Sequence, residues 1–163
     1  GEICSPLSGS AESGALQVRP ARPADAQALY AIDARTSADP IDLQRYQRAC
    51  SASAEGAEYA LLVHDSDVAG YVLCSRVLDE VTILNIAIVP ERQGCGLGEY
   101  LLRTALCAAR EAGAQRCLLE VRASNRVALA LYERCGFTGD GVRRGYYPGE
   151  NGREDALLMS REL

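Results

Sequence analysis

The sequence has no tryptophan and only one histidine and one phenylalanine among its 163 residues. Its seven cysteines form no Cys-x-x-Cys pair, and with a single histidine they give no closely spaced set of zinc ligands, so we expect no metal. No run of about 18 apolar residues occurs, so we expect no transmembrane helix. The net charge of −5 argues against binding nucleic acid or a membrane through a basic surface and is compatible with a cationic partner.

Most of the cysteines lie within apolar patterns, where a free thiol behaves as a small hydrophobic side chain. Free thiols are typical of a reducing compartment, which predicts a cytoplasmic protein. Cys95 differs because it lies in a glycine-dense segment just before a predicted helix. It is either a tolerated small side chain or a redox-active thiol at a helix N-terminus.

The length and a hydrophobic content of 48% suit one domain with a buried core, which we place at residues 16–163. Residues 1–15 are rich in Gly, Ser and Ala, do not begin with Met and show no periodicity. They predict a disordered extension or a leftover of expression cloning.

Apolar periodicity predicts short strands alternating with amphipathic helices. The expected strands cover residues 17–19, 59–63, 68–75, 81–89, 117–121, 137–142 and 156–159. Helices are expected from residue 23 and over residues 42–50, 99–112 and 125–134, and residues 143–155 are expected to form a long loop. The almost wholly apolar strand 117–121 is expected to be central, buried on both faces and next to strand 83–89. The fold class is α/β (α+β), a mixed, mostly antiparallel sheet flanked by helices.

A glycine-dense loop connects strand 81–89 to the following helix. Gly94, Gly96 and Gly98 alternate there, and glycine adopts positive φ and lets a ligand approach without meeting a Cβ. N–H groups at a helix N-terminus form a site for phosphate, so the loop is either an anion site or a plain connection. It is neither a P-loop, because no Gly-Lys-Ser/Thr follows, nor the opening of a βαβ dinucleotide unit.

The segment from Gln93 to Gly98, Gln-Gly-Cys-Gly-Leu-Gly, resembles the Gln/Arg-x-x-Gly-x-Gly/Ala loop of the GNAT acetyltransferases. Other segments resemble the RimI-like protein N-terminal acetyltransferases within that family. They are Leu-Asp-Glu from Leu78, Asn-Ile-Ala from Asn85, Leu-Glu-Val-Arg-Ala-Ser-Asn from Leu119, Ala-Leu-Tyr-Glu from Ala130 and Gly-Arg-Glu-Asp-Ala from Gly152. The similarity runs from Gln17 to Met159 in the expected order and spacing.

The resemblance implies a GNAT-like fold in which strands 81–89 and 117–121 splay apart and hold acetyl-CoA, the acetyl donor. The backbone of Ile86, Ala87 and Ile88 would pair with the pantetheine arm, and an N–H there could support the developing oxyanion. Asn125 would bond the pantetheine amides and cap the next helix. The residues expected to hold the pyrophosphate are those of the glycine loop: Gln93, Gly94, Cys95, Gly96, Leu97, Gly98 and Glu99.

Glu120 is a carboxylate within the apolar run Cys-Leu-Leu-Glu-Val, where an unpaired charge is costly to bury. By pattern it is either paired with a neighbouring arginine or placed at the mouth of the sheet. The resemblance implies that it is the general base, acting on the α-ammonium directly or through water. Tyr132 is by pattern a packed core aromatic, and by the resemblance the general acid that protonates the leaving thiolate of coenzyme A.

Several charged residues have two interpretations. The arginines are either ligands of the ribose phosphate or part of a solvated face: Arg92, Arg103 and Arg126. By the resemblance, the Tyr146-Tyr147-Pro148 and Arg153-Glu154-Asp155 segments line the acceptor side. The acids either add negative charge to the acceptor groove or are ordinary solvated side chains: Asp79, Glu80, Glu154 and Asp155.

The resemblance implies a RimI-like Nα-acetyltransferase that transfers acetyl directly from acetyl-CoA to the N-terminal alanine of a small-subunit ribosomal protein. One alternative is a GNAT enzyme for other protein N-termini, lysine or a small-molecule amine. It stays open because residues 37–41, Ser-Ala-Asp-Pro-Ile, stand where this family often carries Phe-Pro-Trp. The other alternative is a non-catalytic acyl-CoA-binding module, which would need no acid and base such as Tyr132 and Glu120.

Overall fold

The structure, a computed structural model, describes residues 15–51, 57–150 and 152–163. Residues 1–14 of the predicted N-terminal extension lie outside the described residues. The strands are β1 (Gln17–Pro20), β2 (Glu58–His64), β3 (Val68–Val77), β4 (Glu80–Ile88), β5 (Arg116–Arg122), β6 (Thr138–Gly149) and β7 (Gly152–Glu162). The helices are α1 (Ala26–Thr36), α2 (Leu43–Cys50), α3 (Leu97–Glu111) and α4 (Arg126–Arg134).

The strands form one sheet in the order β1-β2-β3-β4-β5-β7-β6. Every neighbouring pair is antiparallel except β4 and β5, which run parallel. The parallel pair requires a crossover connection, and α3 supplies it. This mixed, mostly antiparallel sheet flanked by helices confirms the predicted fold class.

The two faces of the sheet are covered by different helices, because strand side chains alternate between faces. On one face, buried residues of α3 and Tyr132 of α4 pack against Val81, Leu119 and Val121 of the central strands. On the other face, α1 and α2 pack against Leu62, Tyr71 and Leu73. The α3 face and the α1–α2 face therefore present different surfaces to anything bound between the central strands.

Helix α3 follows the glycine loop, and its apolar residues recur at helical spacing and are buried against the sheet: Leu101, Leu102, Ala105, Leu106 and Ala109. Gly113, with φ +96°, stands just after its end, where the left-handed backbone that terminates a helix favours glycine. With 15 residues α3 is the longest of the described helices. Within the described ranges, no helix combines the length and apolar character needed to cross a membrane.

Two expectations about the strands are wrong. The segment 143–155, expected to be a loop, belongs within the described residues to the β6–β7 hairpin and forms the end of it that contains the turn. Almost all of β6 is exposed, so the segment lacks the apolar alternation by which strands are predicted. In β5 only alternate residues are buried, so the strand is central but not buried on both faces.

Five of the described cysteines are free thiols: Cys50, Cys74, Cys95, Cys117 and Cys135. All of these except Cys95 are buried, and burial raises the pKa of the Cys50 thiol to about 11. Cys107 differs from the expectation of free thiols because it is disulfide-bonded.

Candidate active site

The central feature of the sheet is an opening between its two parallel strands. β4 and β5 pair only from Glu80–Arg116 to Ile83–Leu119, although β4 stays paired with β3 as far as Ile88. β5 meanwhile stays paired with β7 as far as Arg122. The two strands therefore splay apart, and a cavity of about 710 Å³ opens there.

The cavity collects the residues that the sequence singled out. Of the predicted donor-binding residues, those that line it are Ile86, Ala87, Ile88, Gln93, Gly94, Gly96, Leu97, Gly98, Glu99 and Asn125. Glu120 and Tyr132 line the same cavity. Cys95 is exposed and lies outside the lining. The chain thus brings the predicted site together, while the roles of the individual residues stay predictions.

The glycine loop places unpaired N–H groups at the start of α3. Gly94 and Gly96 have φ +79° and +81°, and a Cβ at either would meet no atom within 4 Å. Among the described residues, the N–H groups of Leu97, Gly98 and Glu99 donate to no acceptor. These donors, together with the positive end of the helix dipole, can hold a phosphate group.

Two side chains near the loop are already engaged. Gln93 donates from Nε2 to the carbonyl oxygen of Ile88 over 3.0 Å, which ties the loop to the end of β4. The Glu99 carboxylate lies 3.4 Å from Arg103 and 3.6 Å from Arg134. These two guanidinium groups offset a negative charge that would otherwise repel phosphate, so Glu99 can contribute its N–H to an anion site.

The three candidate arginines do not share one location. Arg92 lines the cavity and pairs with Asp65 over 2.7 Å, whereas Arg103 and Arg126 do not line it. Arg134, which the sequence analysis did not select, does line it. Its position in the last turn of α4, beside Glu99, depends on helix packing that the local sequence does not reveal.

Glu120 lies on β5 one residue past the last pairing with β4. Its neighbours Leu119 and Val121 are buried against α3, so Glu120 points to the opposite, α1–α2 face. Its Oε1 lies 3.2 Å from Nε of Arg143 on β6. The arginine pairing and the position at the mouth of the sheet, both considered from the sequence, therefore occur together in a half-buried carboxylate that borders the cavity.

Tyr132 borders the cavity from the α3 face of the sheet. It is 6% exposed and packs beside Phe137, with ring centroids 5.8 Å apart. Burial raises the pKa of its hydroxyl to about 12, so the group holds its proton at neutral pH. A protonated phenol here can donate, and it lies across the sheet from Glu120.

Asn125 precedes α4 and caps it, because Oδ1 accepts a hydrogen bond from the N–H of Ala128 over 3.2 Å. This is the predicted capping role. The residue also lines the cavity, and its side-chain Nδ2 donates to no other described residue, so this group is available for the predicted contact with the donor.

The cavity continues onto the α1–α2 face, where the acceptor side is expected. Thr36, Ser37 and Ala38 line it there, together with Arg122 and Tyr147. The Arg122 guanidinium lies 4.4 Å from the Tyr147 ring centroid and 3.0 Å from Glu154. A cation over an aromatic face stabilises the ring position, so Tyr147 is a fixed wall of this side.

The acids considered for this side do not add free negative charge to the cavity. None of Asp79, Glu80, Glu154 and Asp155 lines it. Hydrogen bonds from Ser124 and from Arg122 lower the pKa of Glu154. Asp155 accepts a hydrogen bond from the N–H of Gly145 over 2.9 Å.

Asn85 belongs to a segment that carries the family resemblance, but the sequence alone did not assign this polar residue to the site. It lines the cavity, and its Nδ2 donates to the Tyr71 hydroxyl over 2.8 Å. An asparagine inside the apolar run Ile83–Val89 was the signal that could have found it.

The family model, the relatives and the solved structure that this chain resembles are all acetyltransferases. Residues 25–137 match the family model described as the acetyltransferase (GNAT) family. The chain is 39% identical over 138 residues to the ribosomal-protein-bS18-alanine N-acetyltransferase of Escherichia coli K12, covering 83% of this chain and 90% of that protein. It is 44% identical over 100 residues to the enzyme of the same name from Haemophilus influenzae, covering 61% and 68%. The crystal structure of the ribosomal-protein-S18-alanine N-acetyltransferase from E. coli superposes with a TM-score of 0.83 at 33% identity, covering 91% and 94%.

Proposed function

This chain belongs to the GNAT acetyltransferase family, and we propose that it transfers the acetyl group of acetyl-CoA to the α-amine of the N-terminal alanine of a small-subunit ribosomal protein. The observation that carries the proposal is the cavity between β4 and β5. It joins the phosphate-binding donors of the glycine loop on one side to Glu120 on the other. A donor held between the strands would thus present its thioester to an amine arriving from the α1–α2 face.

The residues of the chain fit acetyl-CoA in three places. The N–H groups at the start of α3 suit its pyrophosphate. Beyond Ile83, β4 no longer pairs with β5, so its backbone is available to a pantetheine arm between the strands. Asn125 lies on the far side of the opening, at the start of α4. Such positioning lowers the barrier by holding donor and acceptor in reacting geometry.

Two side chains supply the proton transfers in the proposed reaction. Glu120 accepts a proton from the incoming α-ammonium, which leaves a neutral amine to attack the thioester carbonyl carbon. The N–C bond forms, the C–S bond breaks, and Tyr132 donates its hydroxyl proton to the sulfur that leaves. The nitrogen loses its second proton as the amide forms, and this proton passes through solvent to restore the Tyr132 phenol, while Glu120 releases its proton to water. A backbone N–H of β4 stabilises the negative charge that develops on the carbonyl oxygen.

The names of the relatives support the proposed acceptor. The E. coli protein, whose name specifies the alanine of ribosomal protein bS18, aligns with 83% of this chain. A ribosomal acceptor implies a cytoplasmic enzyme that acts on protein and needs no direct contact with nucleic acid or membrane. We assign the activity to a single domain, residues 16–163.

One observation keeps a second acceptor class in view. The cavity wall at Thr36–Ala38 belongs to the segment that lacks the Phe-Pro-Trp element, so the acceptor side differs from the family pattern. Other protein N-termini, lysine and small-molecule amines are therefore the alternative acceptors. A non-catalytic acyl-CoA-binding module is disfavoured, because a proton donor and a proton acceptor border one cavity.

The test is mass spectrometry of peptides incubated with the protein and acetyl-CoA. One set begins with free alanine and carries the basic sequence of a ribosomal protein N-terminus, and a matched set has blocked N-termini and internal lysines. Acetylation of the free alanine alone supports the proposal. Acetylation of the blocked peptides assigns a lysine acceptor, and acetyl-CoA binding without transfer to any peptide or small amine assigns a binding module.

A further inference from the structure

A chain of polar side chains runs through the apolar layer between the sheet and helices α1 and α2. Asp33, Tyr46 and Tyr71 are each at most 1% exposed. The Tyr46 hydroxyl lies 2.7 Å from Oδ2 of Asp33 and 2.7 Å from the Tyr71 hydroxyl. Nδ2 of Asn85 lies 2.8 Å from the Tyr71 hydroxyl, so this hydrogen-bonded series of side chains ends at a residue that lines the cavity.

The number of available protons fixes the direction of every hydrogen bond among these four side chains. Oδ2 of Asp33 accepts from the N–H of Ile41 over 2.8 Å and from the Tyr46 hydroxyl. A hydroxyl has one proton, so the bond between the two tyrosines must be donated by Tyr71. Tyr71 then has no proton left for Asn85, and Asn85 must donate through its NH₂ group. Burial raises the pKa of both hydroxyls, which keeps both protons in place.

The orientation of the Asn85 amide follows. With Nδ2 turned to Tyr71, the carbonyl oxygen Oδ1 is the other polar atom of the side chain, and it accepts no hydrogen bond from any described residue. A second, weaker contact of 3.4 Å from Nδ2 to the Tyr46 hydroxyl holds the same orientation. Oδ1 is thus a fixed acceptor in the lining of the cavity.

Asn85 and Glu120 lie on the same side of the opening. The partners of Asn85 belong to the layer packed under α1 and α2, so its side chain is on that face. Glu120 points to the same face, as its buried neighbours show. Along the strands, Asn85 is two residues and Glu120 one residue beyond the last pair, Ile83–Leu119. The two side chains therefore flank the splayed strands where an amine would enter.

We propose that Asn85 binds the acceptor, with Oδ1 receiving one N–H of the incoming amine while Glu120 receives another, and that Tyr71 is a positioning residue that holds the Asn85 amide. The primary α-amine of an N-terminal alanine has more than one N–H, so two hydrogen-bond acceptors on either side of it fix both its position and its orientation. This inference rests on the proposed function, because it concerns the acceptor of that reaction.

The first experiment compares steady-state kinetics of the wild type and Asn85→Ala with an alanine-initiated peptide. Loss of a hydrogen bond to a charged or polar amine is expected to raise the peptide KM about tenfold, while kcat changes little because the contact is made before and during transfer. Calorimetry should give an unchanged acetyl-CoA Kd, which also shows that the variant is folded. An unchanged peptide KM overturns the proposal. So does a variant in which the acetyl-CoA Kd rises while the peptide KM stays the same.

The positioning role of Tyr71 is tested by a double-mutant cycle. Tyr71→Phe keeps the ring and removes the oxygen that binds Nδ2, and it is expected to raise the peptide KM about threefold to tenfold. In the Asn85→Ala background the same change should have no further effect on KM, because Tyr71 acts through Asn85. Additive effects in the double variant overturn the positioning role.

Tyr59→Phe is the matched control, since Tyr59 is a partly buried tyrosine of β2 that packs on the α3 face of the sheet. It should leave the peptide KM unchanged. The reaction of the wild type distinguishes a failure of the proposed function from a failure of the inference about Asn85. If the wild type does not acetylate the peptide, the proposed function fails and this inference with it. If the wild type acetylates the peptide and Asn85→Ala does so with an unchanged KM, only the inference fails.

Discussion

Replacing Gly96 by alanine tests the glycine loop through its backbone alone. Gly96 has φ +81°, and a Cβ added there would meet no atom within 4 Å. Steric contact therefore adds nothing to the cost of the substitution. The remaining cost is that of holding an L-residue in the left-handed region, about 1–2 kcal/mol.

This free energy is expected to appear in donor binding. Since nothing packs against the added Cβ, the free protein can relax to negative φ, which turns the N–H groups of Leu97, Gly98 and Glu99 away from the phosphate position. Binding must then restore the left-handed backbone at a cost of about 1–2 kcal/mol. Because 1.4 kcal/mol is a factor of ten, the acetyl-CoA Kd should rise about fivefold to thirtyfold.

Calorimetric titration with acetyl-CoA measures the change directly. Gly139→Ala on β6 is the matched control, because its Cβ also meets no atom within 4 Å and its φ is not in the left-handed range. The control should bind as the wild type does. Gly96→Val adds β-branching and should weaken binding further than alanine. An unchanged Kd in both Gly96 variants would remove the loop from the donor site.

Three further predictions concern the proton-transfer groups and the stability of the fold. Glu120→Gln should lower kcat about 10²- to 10⁴-fold and leave the acetyl-CoA Kd unchanged. The control Arg143→Gln breaks the same 3.2 Å ion pair and should keep most of the wild-type kcat. Equal losses of kcat in the two variants would make Glu120 a structural residue. Because burial raises the pKa of Tyr132 to about 12, the kcat of the wild type should not fall with rising pH below about pH 10. Tyr132→Phe should have a low kcat at every pH. A fall in the wild-type kcat near pH 9 that is absent from the variant would contradict this assignment. The Arg19 hydrogen bond lowers the pKa of Asp25 from its ordinary 3.8, so Asp25→Asn should lower the free energy of unfolding by about 1 kcal/mol at neutral pH. In urea titrations that difference should shrink as the pH falls below about 4, because the unfolded chain takes up the proton first, and a difference independent of pH would show that the ion pair contributes nothing.

The central strands and the glycine loop were predictable because their signals are local. The apolar run that ends at Pro90, followed by alternating glycines, places a strand, a tight turn and a helix start in order. The resemblance to the family then indicated many of the residues that line the cavity, but not Asn85 or Arg134. The continuation of β6 and β7 through residues 143–155 was missed because β6 faces solvent, so the ladder between the two strands and not apolar alternation marks this part of the hairpin.

The partners of the polar residues could not be read from the sequence. Asn85 is held by Tyr71 and Tyr46, which are 14 and 39 residues away along the chain. The pairing of Glu120 with Arg143 depends on β7 lying between β5 and β6 in the sheet. Such contacts are set by strand order, which local propensity does not determine.

The most direct test of the account is the position of the acetyl group on a single peptide that has both a free N-terminal alanine and an internal lysine. After limited reaction with acetyl-CoA, fragmentation in the mass spectrometer assigns the added acetyl to one amine or the other. We expect acetyl on the N-terminal alanine, with no such product from Glu120→Gln in the same time. Acetyl on the lysine side chain, or an equal yield from the variant, would contradict it.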